Sequence, residues 1–234
     1  MRSITKGAEP RALIRWKADN VATPQNLVYG GGGFPGEKVR ESLLAEQFHL
    51  CAYTMKRLAT AETCGQDFRA SCHIEHVLPQ ARGIPAETID YQNMLACYPP
   101  SQTKVACEYG AQAKAEYDPA MHPCASPLQT NVQQHFKFGA DGAIEGITAQ
   151  GIATVGVLKL DHKILVNDRA AIVRGFLCPK GTEVSAAHAR RIAIEVLKPD
   201  ANHCLSPHCT AVAAIALLHA DRLERRASRL KGKN

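Results

Sequence analysis

The sequence feature that most constrains folding is a β-hairpin signal in the second half of the chain. The segment HFKFGADGAIEGI alternates apolar and polar residues on both sides of Asp141-Gly142, and an Asp-Gly pair between alternating runs is typical of a tight two-stranded turn. Amphipathic helical patterns follow in TVGVLKLDHKILVNDRAAIVRGFL, SAAHARRIAIEVL and PHCTAVAAIALLHADRLERRASRL. Strands followed by a run of helices predict an α+β fold with a helical C-terminal part.

The N-terminal half is divided by a glycine-rich stretch, LVYGGGGFPGEK. Four successive glycines and then Pro35-Gly36 predict a loop. A phosphate-cradling loop is the alternative, but no Gly-Lys-Ser/Thr sequence follows. The spacing of Val39, Leu43 and Leu44 predicts a helix over residues 37–47. The next segment, HLCAYTMKRL, suits a short strand pair; residues 59–70 are expected to form a loop, and YGAQAKAEY a helix.

Composition excludes some classes of protein. The 234 residues are 45% hydrophobic, yet no apolar run approaches the ~20 residues of a membrane span. The first residues do not resemble a secretory signal, which predicts a cytoplasmic protein that does not insert into membranes. Because the nine cysteines are odd in number, reduced thiols are expected.

The formal charge of +6 is concentrated at one end. From Asp221 to Asn234 there are six basic residues and two acids. Such an end suits a polyanion such as nucleic acid. A solvated helix end that keeps the protein soluble is the equally weighted alternative.

The stretch CHIEHVLPQ, Cys72 to Gln80, carries the densest reactive chemistry. Hydrolysing a phosphodiester requires a base that activates water and a divalent cation that neutralises charge, and His76 with Glu75 can provide both functions. Hard oxygen ligands favour Mg²⁺ or Mn²⁺. Asn93 can hydrogen-bond the backbone near the histidine, and Lys114 can contact a phosphate. The alternatives are surface histidines in a turn, or a pair three residues apart, His73 and His76, that binds zinc.

Three segments in this order, HIEHVLPQ, DYQNMLACYP and CEYGAQAK, resemble the HNH endonuclease motif. In particular they resemble the PtuB-like HNH nucleases found with retrons and in Septu-type anti-phage systems. The flanking segments ITKGAEPRAL, LLAEQFHLCAYT and FKFGADGAIEGI…LKLDHKILVNDRAAI are also similar, so the resemblance extends from about residue 2 to about residue 178.

The resemblance implies a ββα-metal nuclease core with assigned roles. His76 would be the general base, Glu75 a metal ligand, and Asn93 the residue that orients His76. The position three residues before Lys114, where HNH motifs usually carry Asn or His, is Ala111 here. Glu108 and His73 are the candidates for the missing ligand.

The resemblance also implies a structural zinc site, which this chain retains only in part. Many relatives carry Cys-x-x-Cys where this chain reads Cys51-Ala52-Tyr53-Thr54. Cys51, Cys97 and Cys107 remain, and a tetrahedral site would need a replacement such as Cys72 or Cys64. Buried thiols are the alternative.

Two further groups have structural explanations as well. HCLSPHC places His203, Cys204, His208 and Cys209 together, which suits either zinc or a turn between helices. Arg169 and Arg174 near Asp161 and Asp168 are expected to form ion pairs on a helix face.

The sequence divides into four segments. Residues 1–58 lead into the core, residues 59–120 form the HNH core, residues 121–180 supply a hairpin and helices packing on it, and residues 181–234 form a helical extension with a basic tail. For the last segment, burial of its apolar face in the protein's own core is the default and partner docking the alternative.

The expected function is a metal-dependent HNH endonuclease, the effector of a Septu or retron anti-phage system. The resemblance implies an ABC-type ATPase partner, PtuA-like, and a retron reverse transcriptase with its RNA-DNA as a further one. DNA is the first expected substrate, with RNA such as tRNA as the alternative. The rival hypotheses are a degenerate HNH scaffold that binds nucleic acid or assembles without cutting, and a zinc-stabilised adaptor.

Overall fold

The computed structural model describes residues 1–60, 62, 63, 65, 67–101, 103 and 106–231. Two small antiparallel sheets and the helices together form a mixed α+β structure. The helices are α1 (Arg11–Asp19), α2 (Gly36–Glu46), α3 (Pro85–Thr88), α4 (Ala111–Lys114), α5 (Ala149–Val157), α6 (Lys163–Leu177), α7 (Ala186–Glu195) and α8 (Cys209–Lys231). The strands are β1 (His73–His76), β2 (Met94–Cys97), β3 (Phe136–Phe138) and β4 (Ile144–Gly146).

The first sheet pairs β1 with β2 and carries the candidate motif. His73 lies opposite Cys97, and His76 lies opposite Met94. All four residues of β2 are buried, and α2 packs against this strand. The segment that connects β1 to β2 contains α3 and several tight turns. It folds back so that Gln80 and Thr88 lie beside His76 at the end of β1.

The predicted hairpin is confirmed as β3 and β4. Oδ1 of Asp141 accepts a hydrogen bond from the Ala143 amide, and Gly142 has a φ of +85°. A Cβ on Gly142 would lie 2.1 Å from the Val166 carbonyl oxygen. Glycine is therefore required both for the turn and for its close contact with α6.

The predicted helix at residues 37–47 is confirmed as α2, displaced by one residue at each end. Val39, Leu43 and Leu44 form its buried face as expected. The strand pair predicted in HLCAYTMKRL is wrong, because only one isolated bridge, Leu50 to Arg57, forms there. The YGAQAKAEY helix is a single turn, α4.

The helical C-terminal part is confirmed. In α6, Leu165 and Val173 are buried, while Ile172 and Phe176 are only partly buried. Helices α7 and α8 pack closely together. The buried residues of α8 are Cys209, Ala211, Val212, Ala213, Ile215, Ala216, His219 and Ala220. Most of the apolar face considered for partner docking is thus in the protein's own core.

The predicted ion pairs of Arg169 with its acidic neighbours are wrong. Arg169 is buried and donates to the carbonyl oxygens of Gly142 and Leu160 at 2.6 and 2.7 Å. Asp168 instead pairs with Lys56. Arg169 therefore links α6, on which it lies, to the hairpin turn and to the segment that precedes α6. Burial lowers the pKa of its guanidinium to about 10.

Among the helices of the described ranges, none has the length and apolar content needed to cross a membrane.

Candidate active site

Strand β1 presents its side chains alternately to two environments. His73 and Glu75 are half-buried, whereas Ile74 and His76 are buried. This alternation follows from the period of two residues in a β-strand. The carboxylate of Glu75 and the ring of His76 therefore leave the strand on opposite sides although they are adjacent in sequence.

His76 is held in one orientation by hydrogen bonds to both ring nitrogens. Nε2 lies 2.9 Å from the Thr88 carbonyl oxygen, which can only accept, so Nε2 carries the proton. Nδ1 is then the basic nitrogen, and it accepts from Nε2 of Gln80 at 3.2 Å. Gln80 is exposed, so its side chain separates Nδ1 from solvent. The Tyr29 ring packs edge-on against the imidazole, with centroids 4.8 Å apart.

The environment of His76 favours the neutral ring. Burial lowers its pKa, and this effect outweighs the opposing effect of the Thr88 carbonyl. A neutral imidazole with an unprotonated Nδ1 is the form that a general base requires. The same burial raises the pKa of the neighbouring Tyr29 hydroxyl, which therefore stays protonated at neutral pH.

Asn93 ties together the loop that orients His76. Its Oδ1 accepts from the Leu78 amide at 2.7 Å, and its Nδ2 donates to the carbonyl oxygens of Leu78 and Glu87 at 3.1 and 2.9 Å. Glu87 directly precedes Thr88, whose carbonyl holds His76. The Asn93 side chain thus fixes the Glu87 carbonyl, next to the Thr88 carbonyl that accepts from His76. It makes no hydrogen bond to the His76 ring itself.

Glu75, His73 and Lys114 form a cluster on the other face of β1. Nζ of Lys114 lies 3.0 Å from Oε1 of Glu75 and donates to the His76 carbonyl oxygen at 2.9 Å. Nε2 of His73 faces Oε2 of Glu75 at 3.8 Å, and its Nδ1 donates to the Pro99 carbonyl at 2.6 Å. Burial lowers the pKa of His73, but Glu75 and the Pro99 carbonyl together outweigh this and raise it.

The fit of this cluster to a divalent cation is partial. Oε2 of Glu75 and Nε2 of His73 are 3.8 Å apart, so both atoms could bind one ion with ligand distances of about 2.0–2.2 Å. Oε1 of Glu75 is buried and faces the Lys114 ammonium at 3.0 Å, so this oxygen becomes a metal ligand only if the ion pair opens. Mg²⁺ usually keeps several waters and needs only one or two carboxylates. No group of three or more His, Cys, Asp or Glu side chains arranged for a metal occurs in the described part of the chain.

The structure does not bring Glu108 into this cluster. The Glu108 carboxylate is exposed and lies 3.4 Å from Nε2 of His162. Lys114 is found in the cluster, but its ammonium is buried rather than available at the surface, with a side chain 6% exposed. Its assignment as a phosphate contact stays a prediction, which would require the side chain to leave Glu75.

The cysteine candidates are only partly brought together. Cys51 and Cys97 are buried and hydrogen-bonded to each other, and Sγ of Cys51 also accepts from the Tyr98 amide at 3.3 Å. Burial raises the pKa of the Cys51 thiol, but hydrogen bonds from Cys97 and Thr54 and from backbone amides outweigh this and lower it to about 5. Cys107 donates to the Tyr109 carbonyl. Cys64, one suggested replacement, lies outside the described residues.

The second Cys/His group behaves as a turn between helices. Cys204 donates to the Asn202 carbonyl, and His208 is buried at the start of α8. The carbonyl of His208 accepts from the amides of Ala211 and Val212, so this residue is part of the helix start.

Three contributors to the site were not found from the sequence. Tyr29 and Gln80 contact the His76 ring, and Thr88 supplies a carbonyl. Tyr29 lies next to the glycine run and Gln80 at the end of the candidate motif, but neither position carries a pattern that indicates such a contact. A backbone carbonyl has no sequence signature at all.

Comparison with known proteins adds no family to this geometry. No protein-family model matches the chain, and no curated protein matches it.

Proposed function

We propose that this protein is a metal-dependent HNH-type endonuclease that hydrolyses nucleic-acid phosphodiester bonds. The observation that carries the proposal is the fixed His76 ring, with Nε2 donating to Thr88 and a basic Nδ1 beside the exposed Gln80. Strand, loop, strand and short helix follow in the order of a ββα nuclease core, and the hydrogen bond from Asn93 to the Glu87 carbonyl, beside Thr88, supports its proposed role in orienting His76.

His76 acts as the general base in this proposal. With the Gln80 side chain displaced, Nδ1 takes a proton from a water whose oxygen attacks phosphorus, and the P–O bond to the leaving oxygen breaks. The Thr88 carbonyl stabilises the imidazolium that forms, because it accepts from Nε2 throughout. Proton transfer of this kind contributes typically about 10²–10⁴ in rate.

Glu75 and His73 would hold Mg²⁺ or Mn²⁺. Such an ion would supply positive charge for the scissile phosphate and the leaving oxygen. Because the Glu75 carboxylate and the His76 ring leave β1 on opposite faces, the proposal requires one of these two side chains to be repositioned when the substrate binds. Lys114 would move away from Glu75 as the carboxylate takes up its ligand role, since its ammonium lies 3.0 Å from Oε1. A structural zinc on Cys51, Cys97, Cys107 and a further ligand belongs to the same proposal.

The test is cleavage of plasmid DNA and of bulk tRNA by the purified protein with Mn²⁺ or Mg²⁺. The wild type is expected to cut one of the two substrates, and His76→Ala to lose about 10²-fold or more in rate. His188→Ala is the matched control, because His188 is an exposed histidine on α7. Equal cutting by wild type and His76→Ala would refute the assigned base.

The biological setting is proposed from the resemblance alone. The protein would be the nuclease effector of a Septu or retron defence system, controlled by a PtuA-like ATPase and, in the retron type, by a reverse transcriptase with its RNA-DNA. Because phosphate contacts carry little sequence information, such a nuclease needs control from elsewhere. Cleavage that requires a co-purifying ATPase would support this setting.

A second candidate function is a nucleic-acid-binding or assembly subunit on an HNH-like scaffold that no longer cuts. The observation in its favour is that Lys114 already neutralises Glu75 and that Ala111 begins α4 where a ligand is usual. This candidate predicts nucleic-acid binding without cutting at any concentration of either metal.

A further inference from the structure

A pocket of about 800 Å³ lies next to the candidate active site. Its walls are the glycine-rich segment before α2, the first residues of α2, and three cationic side chains, Lys38, Arg40 and Arg69. Tyr29 and Phe34 supply aromatic surface to the same pocket. Cationic and aromatic groups around one cavity suit a ligand with both a phosphate and a base.

Arg40 is built into the pocket wall. Only 8% of this residue is exposed, and its guanidinium donates to Glu37 Oε1 at 3.1 Å and to Ser101 Oγ at 3.3 Å. Both partners also line the pocket. Nε of Arg40 is buried and has no acceptor in the described part of the chain. The guanidinium thus places a positive charge in the pocket wall with one of its N–H donors unused among the described residues.

The glycines are needed for the shape of the wall. A Cβ on Gly31 would lie 2.0 Å from the Asn26 carbonyl oxygen, and one on Gly36 would lie 2.9 Å from Nη1 of Arg40. The indole of Trp16 donates to the Gly32 carbonyl at 2.8 Å and fastens the segment to α1. The glycine-rich segment is therefore a packed wall of the pocket.

Backbone donors add to the positive character. The amides of Glu37 and Lys38, in the first turn of α2, have no hydrogen-bond acceptor among the residues that the structure describes. Unsatisfied amides and the helix dipole both favour an anion at a helix N-terminus.

The three cations of the pocket differ in how far they are neutralised, and Arg40 is paired with Glu37 inside the pocket lining. Glu37 uses one oxygen for Arg40 and the other for the Phe68 amide. Lys38 pairs with Glu41, which is outside the pocket lining. Arg69 is exposed, and within the described ranges its side chain has neither an ion pair nor a hydrogen bond. Its guanidinium is thus available to a ligand.

The pocket and the candidate catalytic histidine share a wall. The Tyr29 ring is 5.1 Å from the Phe34 ring on the pocket side and 4.8 Å from the His76 ring on the other. A nucleotide held by Arg40 and Arg69 would therefore lie one aromatic ring away from His76.

We propose that this pocket binds a nucleotide unit through its phosphate, next to the bond that His76 would cut. Arg40 and Arg69 contact the phosphate, and Tyr29 or Phe34 contacts the base. The link to cleavage rests on the proposed nuclease function, whereas phosphate binding itself does not. The same chemistry can come from a nucleic-acid strand or from a free nucleotide, and the test separates these sources.

The test measures binding of a thymidine tetranucleotide with a 3′ fluorophore, by anisotropy in EDTA and in a His76→Ala background. A 5′-phosphorylated strand is expected to bind about tenfold more tightly than its 5′-hydroxyl form, because the extra phosphate gains charge-assisted hydrogen bonds. Arg69→Ala is expected to remove most of this difference. Displacement by AMP would assign the pocket to free nucleotides, and displacement by strands alone to nucleic acid.

Two matched pairs of variants separate the pocket from general effects. Arg174→Ala removes an exposed arginine from α6, outside the pocket. Gly36→Ala displaces the Arg40 guanidinium without changing charge, whereas Gly175→Ala places a Cβ in open space. The proposal is overturned if both strands bind equally, or if Arg69→Ala and Gly36→Ala bind as their controls do. Pocket-dependent binding without any cutting by the native protein would overturn the nuclease function alone.

Discussion

The ammonium of Lys114 lies between the side chain of Glu75 and the backbone of β1, 3.0 Å from Oε1 and 2.9 Å from the His76 carbonyl. Lys114→Met would leave a largely buried carboxylate without its cation. Breaking such a pair typically costs about 3–5 kcal/mol. We expect a loss of about 3 kcal/mol in the free energy of unfolding, measured with urea.

Part of this loss should be recovered in the double variant Lys114→Met/Glu75→Gln, because no unpaired charge then remains. A single variant as stable as the wild type would show that the ion pair does not form in solution.

Asn93→Ala should destabilise the protein and disturb the His76 loop. The substitution removes three hydrogen bonds from a buried amide and leaves backbone groups of Leu78 and Glu87 unsatisfied. The expected cost is about 2–4 kcal/mol in the free energy of unfolding. Gln134→Ala, on the surface, is the control and should change stability by less than about 0.5 kcal/mol. A cost of this smaller size for Asn93→Ala would contradict the bracing role.

His208 should make the protein sensitive to acid. Burial, reinforced by Arg169, lowers its pKa to about 3, from an ordinary value of about 6.5. Between these values the unfolded chain binds a proton that the folded chain does not, so stability decreases as pH falls from 6.5 towards 3. One such group contributes at most about 1.4 kcal/mol per pH unit.

His208→Asn tests this assignment, because asparagine tolerates the positive φ of 52° at this position. The variant should have a shallower dependence of the urea midpoint on pH below 6.5. Parallel curves for the two proteins would exclude His208 as the source.

The last turns of α8 should contribute a nonspecific contact with nucleic acid. Arg225, Arg226 and Arg229 are exposed there, whereas Arg222 pairs with Glu183. Replacing the three exposed arginines with serine should weaken binding of long duplex DNA and reduce the salt slope by about 0.9 per lost phosphate contact. Binding isotherms at several salt concentrations measure this slope. An unchanged salt slope would contradict this contact and favour the alternative, in which the basic end of α8 only keeps the protein soluble.

The hairpin turn should not tolerate a side chain at its glycine. Gly142→Ala combines a φ of +85° with a contact of 2.1 Å to the Val166 carbonyl, so a loss of about 2 kcal/mol or more is expected. Gly156→Ala in α5 meets open space and should be neutral or add up to about 1 kcal/mol. Thermal unfolding of both variants gives the comparison.

Local patterns predicted much of this fold. The Asp141-Gly142 turn, helix α2 and the three C-terminal helical segments were each indicated by the spacing of apolar residues and by turn residues a few positions apart. The strand pair around Leu50 and the ion pairs of Arg169 were not predicted correctly. In both cases distant segments compete for the same groups, as when Arg169 bonds to Gly142.

The candidate site shows the same division. The residues around His76 could be chosen from the sequence, because His, Glu, Asn and Lys have the required chemistry. Their arrangement could not, since Thr88, Tyr29 and Arg40 reach β1 or its surroundings only through folding.

The sequence by itself determined which local elements form and which side chains can perform acid–base, metal or phosphate chemistry. Only the tertiary structure decided that Lys114 is buried against Glu75, that Glu108 is elsewhere, and that the Tyr29 ring separates a cationic pocket from His76. The physical reason is that local propensity acts over a few residues, whereas burial, ion pairing and cavity shape depend on groups that are far apart in the chain.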